Sequence, residues 1–186
     1  MRPFRIALTG GSTVGPVYER LAERALAWES WHVWWSDERL VPPDDADSNE
    51  RLARETLLLR VPIPEEQVHP LRAPDVDLPE RFDLVLLGIG PDGHTASLYP
   101  GHEEELADPG PIVYVPKPGW PPPHSRLSFS LAYINAQPLV ALLVGGEGKR
   151  EVLARVLAGD ESLPAARVRA GRTVVLAGDA SAAVAL

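Results

Sequence analysis

Two apolar runs, at residues 82–87 (broken only by Asp83) and 139–144, have the length and composition of strands buried on both faces of a parallel sheet. Residues 4–9, 31–36, 112–115 and 173–177 predict further short strands, and residues 126–131 alternate with period two, which is also strand-like. Helical spacing predicts a helix over residues 14–28, where Val17, Leu21, Ala25 and Trp28 recur at intervals of three and four. Two more are expected, over 49–60 with Ser48 as its cap and over 149–157. The proline- and acid-rich segment 61–79 reads as a surface excursion with at most one short strand near 68–71, and its His69 is expected to be exposed and idle. Residues 102–110 read as a polar loop. Residues 116–124 read as a rigid proline-rich loop carrying Lys117 and Trp120, and the alanine-rich tail as a short helix or a frayed end. The alternation predicts a single α/β domain over residues 1–186: a Rossmann-like open sheet of mostly parallel strands with helices on both faces.

In such sheets ligands bind in the crevice beyond the carboxyl ends of the strands. The run at 82–87 breaks into Gly88, Gly90, Pro91, Asp92 and Gly93, a tight loop that delivers His94, Thr95 and Ser97 to that place. A histidine there, two residues after an aspartate, is a candidate general base; the plainer reading is a glycine turn whose polar side chains satisfy its own backbone. Three other strand ends carry chemistry as well. The first leads into Gly11, Ser12 and Thr13 before a helix, which suits either an anion on free backbone N–H groups or a simple N-cap. The second leads into Asp37 and Arg39, and the run at 139–144 into a glycine loop ending in Lys149. Two cations, a hydroxyl loop and helix N-termini suit a phosphate, while two carboxylates and an imidazole remain for proton transfer. The first loop lacks the lysine of a Walker motif, and there is no G-x-S-x-G elbow.

Composition narrows the field. Net charge is −8, which argues against a general nucleic-acid or anionic membrane surface yet allows a locally positive pocket. With no cysteine, thiol catalysis and thiolate metal sites are excluded, and a cytoplasmic protein is expected. The five histidines lack metal-ligand spacing, and no run approaches the roughly 18 apolar residues of a membrane span. The residues alone point to an enzyme acting on a phosphorylated small molecule by acid–base chemistry, with neither metal nor cofactor.

The stretches GIGPDGHTASLYPG, SDERLVPPDDADSN and ALTGGST, in that family's order, resemble the glucosamine-6-phosphate isomerase/6-phosphogluconolactonase family over residues 7 to about 157. The resemblance implies hydrolysis of 6-phospho-D-glucono-1,5-lactone to 6-phosphogluconate in the oxidative pentose phosphate pathway. It implies His94 as the base, Asp92 or Asp37 as the carboxylate orienting it, and Arg39 at the oxyanion or the phosphate. Gly11, Ser12, Thr13, Arg126 and Lys149 would hold the phosphate. The expected partner is a small phosphorylated sugar lactone, bound by a monomer or small homo-oligomer. The isomerase branch carries a glutamate five residues after the histidine, where this chain has Tyr99, and tends to read DEY where this chain has Asp37, Glu38 and Arg39. That activity, or a non-catalytic sugar-phosphate-binding module, is the alternative. Relative to the usual member, the helix before the first strand is missing, so one sheet face is expected to be less covered or covered by a partner chain. The tryptophans at 28, 31, 34 and 35 are expected in the core and Trp120 at the rim of the site.

Overall fold

The computed structural model describes residues 2–118 and 121–178. Five strands form a wholly parallel sheet: β1 (Phe4–Leu8), β2 (Trp31–Trp35), β4 (Leu84–Gly88), β7 (Val140–Val144) and β8 (Thr173–Ala177), in the order β2-β1-β4-β7-β8. Strand order reverses at β1 and β4, whose ends open onto one crevice. A second, antiparallel sheet of order β3-β6-β5 joins β3 (Asp37–Arg39), β6 (Arg126–Phe129) and β5 (Ile112–Val115). Asp37, Glu38 and Arg39 are therefore ladder residues and not a loop.

Period two along the parallel strands sorts the core onto two faces. Ala7 and Trp34 belong to one cluster with Phe82, Leu87 and Phe129. Ile6, Leu8, Val33 and Trp35 belong to the other, with Tyr18, Trp28 and Trp31. The four tryptophans around β2 are thus core residues, as expected.

The helices are shorter than their spacing predicts. Helix α1 (Val14–Ala22) stops well before Trp28 and buries Val14, Gly15 and Tyr18, while Val17 is 40% exposed. Trp28 instead opens a 3-10 turn, donates its indole N–H to the Arg24 carbonyl at 3.1 Å, and packs on Trp31. Packing against β2 overrides helical periodicity there. Ser48 caps α2 (Asn49–Thr56) by accepting from the Arg51 N–H, and a 3-10 turn at Leu58–Arg60 completes the predicted span. The polar stretch 102–110 contains one helical turn, α3 (Glu103–Leu106), anchored by buried Leu106. Strand β6 ends at Phe129, since Ser130 caps α4 (Leu131–Asn135). Helix α5 (Arg150–Leu157) follows a 3-10 turn at Glu147–Lys149. The tail beyond Gly178 and Trp120, with the expectations attached to them, lie outside the described residues.

His69 is neither exposed nor idle. Its N–H donates to the Val33 carbonyl at 2.8 Å, tying Val68 beside the edge strand β2. Its ring stacks on Trp34 at 4.2 Å, and its Nε2 lies 3.4 Å from His32 Nδ1. Burial and the nearby His32 hold His69 below the ordinary histidine range, against a smaller pull from Asp77. A base depressed in the folded state binds fewer protons than in the unfolded chain, so His69 removes stability as pH falls below about 6.5. The urea midpoint should drop between pH 7.5 and pH 5.5, and drop less in His69→Gln.

An apolar groove of about 560 Å³ runs between α1 and the ends of β7 and β8, lined by Pro16, Val17, Leu143 and Leu176. It adjoins the first glycine loop through Ser12 and Thr13.

Candidate active site

Beyond the carboxyl ends of β1 and β4 lies a cleft of about 370 Å³. Each predicted loop reaches it.

After β4, Gly90 donates its N–H to the His94 carbonyl at 2.8 Å and Gly93, at φ +87°, donates to Gly90. A left-handed residue at 93 favours glycine for want of a Cβ. The tight turn sets His94 Nδ1 2.5 Å from Asp92 Oδ1, with the His94 backbone N–H on the same oxygen at 3.2 Å. Burial tends to raise the Asp92 carboxyl, but the hydrogen bond and charge of His94 win and hold it below the ordinary carboxylate range. With Nδ1–H donating to that carboxylate, Nε2 carries the lone pair. Thr95 Oγ1 donates to the Gly88 carbonyl at 2.8 Å, and Ala96, at φ +48°, lines the cleft.

Asp37, the other carboxylate considered for His94, is bound elsewhere. It is buried, accepts from Ser97 Oγ at 2.7 Å, and lies under Asn49, whose Nδ2 donates to the Asp37 carbonyl at 3.0 Å. Glu38, which the sequence left without a role, is the anion at the start of α2. It accepts from the N–H groups of Asn49 and Glu50 at 2.8 and 2.6 Å and from Ser48 Oγ at 3.2 Å. Burial pushes the Glu38 carboxyl up despite those N–H bonds.

The cleft's positive charge comes from three residues. Arg39 and Arg126 are directly opposite each other in the β3–β6 register, and both line the cleft. The Arg39 guanidinium donates to the Asp47 carbonyl at 2.5 Å; that of Arg126, only 3% exposed, donates to the Pro122 carbonyl at 2.9 Å. Like charges on opposed positions repel, so this register suits a bound anion. Burial lowers the Arg126 guanidinium, and desolvation lowers the half-buried Lys149 ammonium, which lines the same cleft. A dianion beside these groups would reverse both effects.

Gly11 (φ +97°) and Ser12 also line the cleft, after a β1 end stitched by Tyr18, whose hydroxyl accepts from the Thr9 N–H and donates to the Thr9 carbonyl. Thr13 does not: it makes no capping hydrogen bond and turns its methyl group to Gly145, in the wall of the apolar groove. Sequence reading missed Asn49 as a wall of the cleft; a Cβ on Gly10 would meet its Oδ1 at 1.8 Å. The order Asp37–Ser48–Asn49 carried the signal, since a helix starting there must return to the β2 end.

Comparison with known proteins shows the family and the fold. Residues 1–176 match the model of the family described as glucosamine-6-phosphate isomerases/6-phosphogluconolactonase. A 6-phosphogluconolactonase of Synechocystis sp. is 41% identical over 176 residues, 82% of this chain and 71% of the relative. The crystal structure of 6-phosphogluconolactonase from Thermotoga maritima superposes with TM-score 0.84 at 34% identity, covering 96% of this chain and 87% of the other. A monomeric glucosamine-6-phosphate deaminase shares the fold at TM-score 0.82 and 19% identity, over 98% of this chain and 88% of the other.

Proposed function

The chain belongs to the glucosamine-6-phosphate isomerase/6-phosphogluconolactonase family, and from that premise we propose that it hydrolyses 6-phospho-D-glucono-1,5-lactone to 6-phosphogluconate. The observation that carries the proposal is the sharing of one cleft by an aspartate-oriented imidazole and three cations, on a chain of net charge −8.

His94 Nε2 takes a proton from water as its oxygen attacks the lactone carbonyl, and Asp92 steadies the imidazolium that forms. The tetrahedral oxyanion falls to Arg39, and the collapsing intermediate expels the ring oxygen, which takes the proton back from His94. The new carboxylic acid then ionises, releasing one proton per turnover. Lys149, Arg126 and the Gly11–Ser12 turn at the start of α1 hold the phosphate. In this reading Thr13 acts only by seating that turn on Gly145, and Asp37 shapes the wall through Ser97 and Asn49. A lactone is an activated ester, so one base and one oxyanion donor suffice. Tyr99 stands where the resemblance places a ring-opening glutamate in the isomerase branch, and it leaves the cleft without that carboxylate.

The test is proton release from freshly prepared lactone, above the spontaneous rate. An isomerase would instead free ammonia from glucosamine 6-phosphate, and a mere binder would do neither. Lys149→Met should raise KM by roughly tenfold or more with little change in kcat, because a charge-assisted bond to phosphate is present in ground and transition states alike.

A further inference from the structure

Tyr99 is a fully buried residue of the core cluster beneath the cleft, and three features set it apart from a filler. Its ring centroid lies 4.7 Å from that of His94, inclined at 39°, which is direct contact between the two rings. The same ring has the Arg126 guanidinium carbon 5.8 Å from its centroid, within cation–π range. Among the described residues its hydroxyl has no hydrogen-bond partner, so what Tyr99 offers its neighbours is the ring.

Both neighbours need such support. The Asp92 bond fixes one edge of the His94 imidazole but leaves rotation about that bond to be limited by packing. Arg126 is nearly buried, opposite another arginine, and a π face offsets part of that repulsion without adding a carboxylate that would compete for phosphate. The backbone places the ring firmly: residues 95–98 form a tight hairpin, closed by Thr95 and Leu98 exchanging N–H···O bonds, and Ser97 anchors it to Asp37.

We infer that Tyr99 is a positioning residue whose single aromatic ring holds the His94 imidazole and the Arg126 guanidinium in fixed relation, coupling the reacting end of the cleft to its anion-binding end. The inference rests on the lactonase reading above, and its test separates the two.

Tyr99→Phe keeps the ring, removes an unpartnered hydroxyl, and should retain kcat and KM within about twofold with no loss of Tm. Tyr99→Leu should lower kcat at least tenfold and raise KM together, since both ends loosen. Phe82→Leu, at an equally buried position of the same cluster, supplies the control: it should lose Tm without losing kcat. A ring-current displacement of the His94 imidazole resonances, present in the wild type and in Tyr99→Phe and lost in Tyr99→Leu, reports the contact without any turnover. If Tyr99→Leu loses only Tm, or if Tyr99→Phe is as impaired as Tyr99→Leu, the inference is overturned. A wild-type chain inactive on the lactone would sink the functional reading, while the resonances would still decide for or against the ring contact.

Discussion

His94→Gln is expected to slow lactone hydrolysis by about 10²–10⁴-fold while leaving KM close to its original value. Glutamine fills the space and preserves a polar contact with Asp92, but it has no nitrogen able to take and return a proton. The cations proposed to hold the phosphate are untouched, which is why the loss should fall on kcat. Phosphate inhibition should be unchanged for the same reason. Because the lactone also opens spontaneously, the comparison is made by proton release against an enzyme-free blank with substrate prepared immediately beforehand. Asp92→Asn should give a loss of the same kind and comparable size. The neutral amide no longer stabilises the imidazolium, and its NH2 can donate to Nδ1, which leaves the proton on Nε2 and removes the base.

Gly90→Ala is expected to approach that severity without removing any functional group. A Cβ at position 90 would stand 2.1 Å from His94 Nδ1 and Cε1 and 2.8 Å from Asp92 Oδ1, so the dyad cannot keep its 2.5 Å bond. The glycine is required for space, Gly11 for backbone conformation, and Gly93 for both, since a Cβ there would also meet Leu163 Cδ2 at 2.7 Å. A displacement of about 1 Å at a reacting group suffices for a loss of roughly 10²-fold. The substitution should therefore depress kcat about a hundredfold, with a far smaller fall in Tm than a core truncation gives. Kinetics alongside thermal melts would check this; an active Gly90→Ala variant would mean that the His94–Asp92 contact is not needed for turnover.

Much of this arrangement was readable from the sequence, and the reason is geometric. Strands β4 and β7 are buried on both faces and so appear as unbroken apolar runs, the first ending in Gly88 and the second running into Gly145. A parallel sheet sends the loops after its strands to one edge, so the loops after β1, β2, β4 and β7 all reach one candidate cleft. What escaped were features set by distant pairing. Asp37–Arg39 is three polar residues, and only its ladder with β6, some ninety residues later, makes it a strand. That pairing also puts Arg39 opposite Arg126, and it commits Asp37 to Ser97, leaving Asp92 to His94. No spacing along the chain encodes that choice. Thr13 lies outside the cleft for a local reason: one residue further into a helix start turns a side chain to a different face, here toward Gly145. His69 looked like a surface residue in a proline-rich segment because its contacts, Trp34 and His32, lie on another strand.

The proposed mechanism requires a proton-transfer dyad and an anion cradle to work on one molecule in one cleft. The most direct measurement is kcat/KM for the 6-phosphorylated lactone against the unphosphorylated gluconolactone, in the wild type and in Lys149→Met. The phosphorylated lactone should be preferred by about 10²-fold or more, and that preference should fall by at least tenfold in Lys149→Met. Equal kcat/KM for the two lactones, or a preference that Lys149→Met leaves intact, would contradict the proposed mechanism.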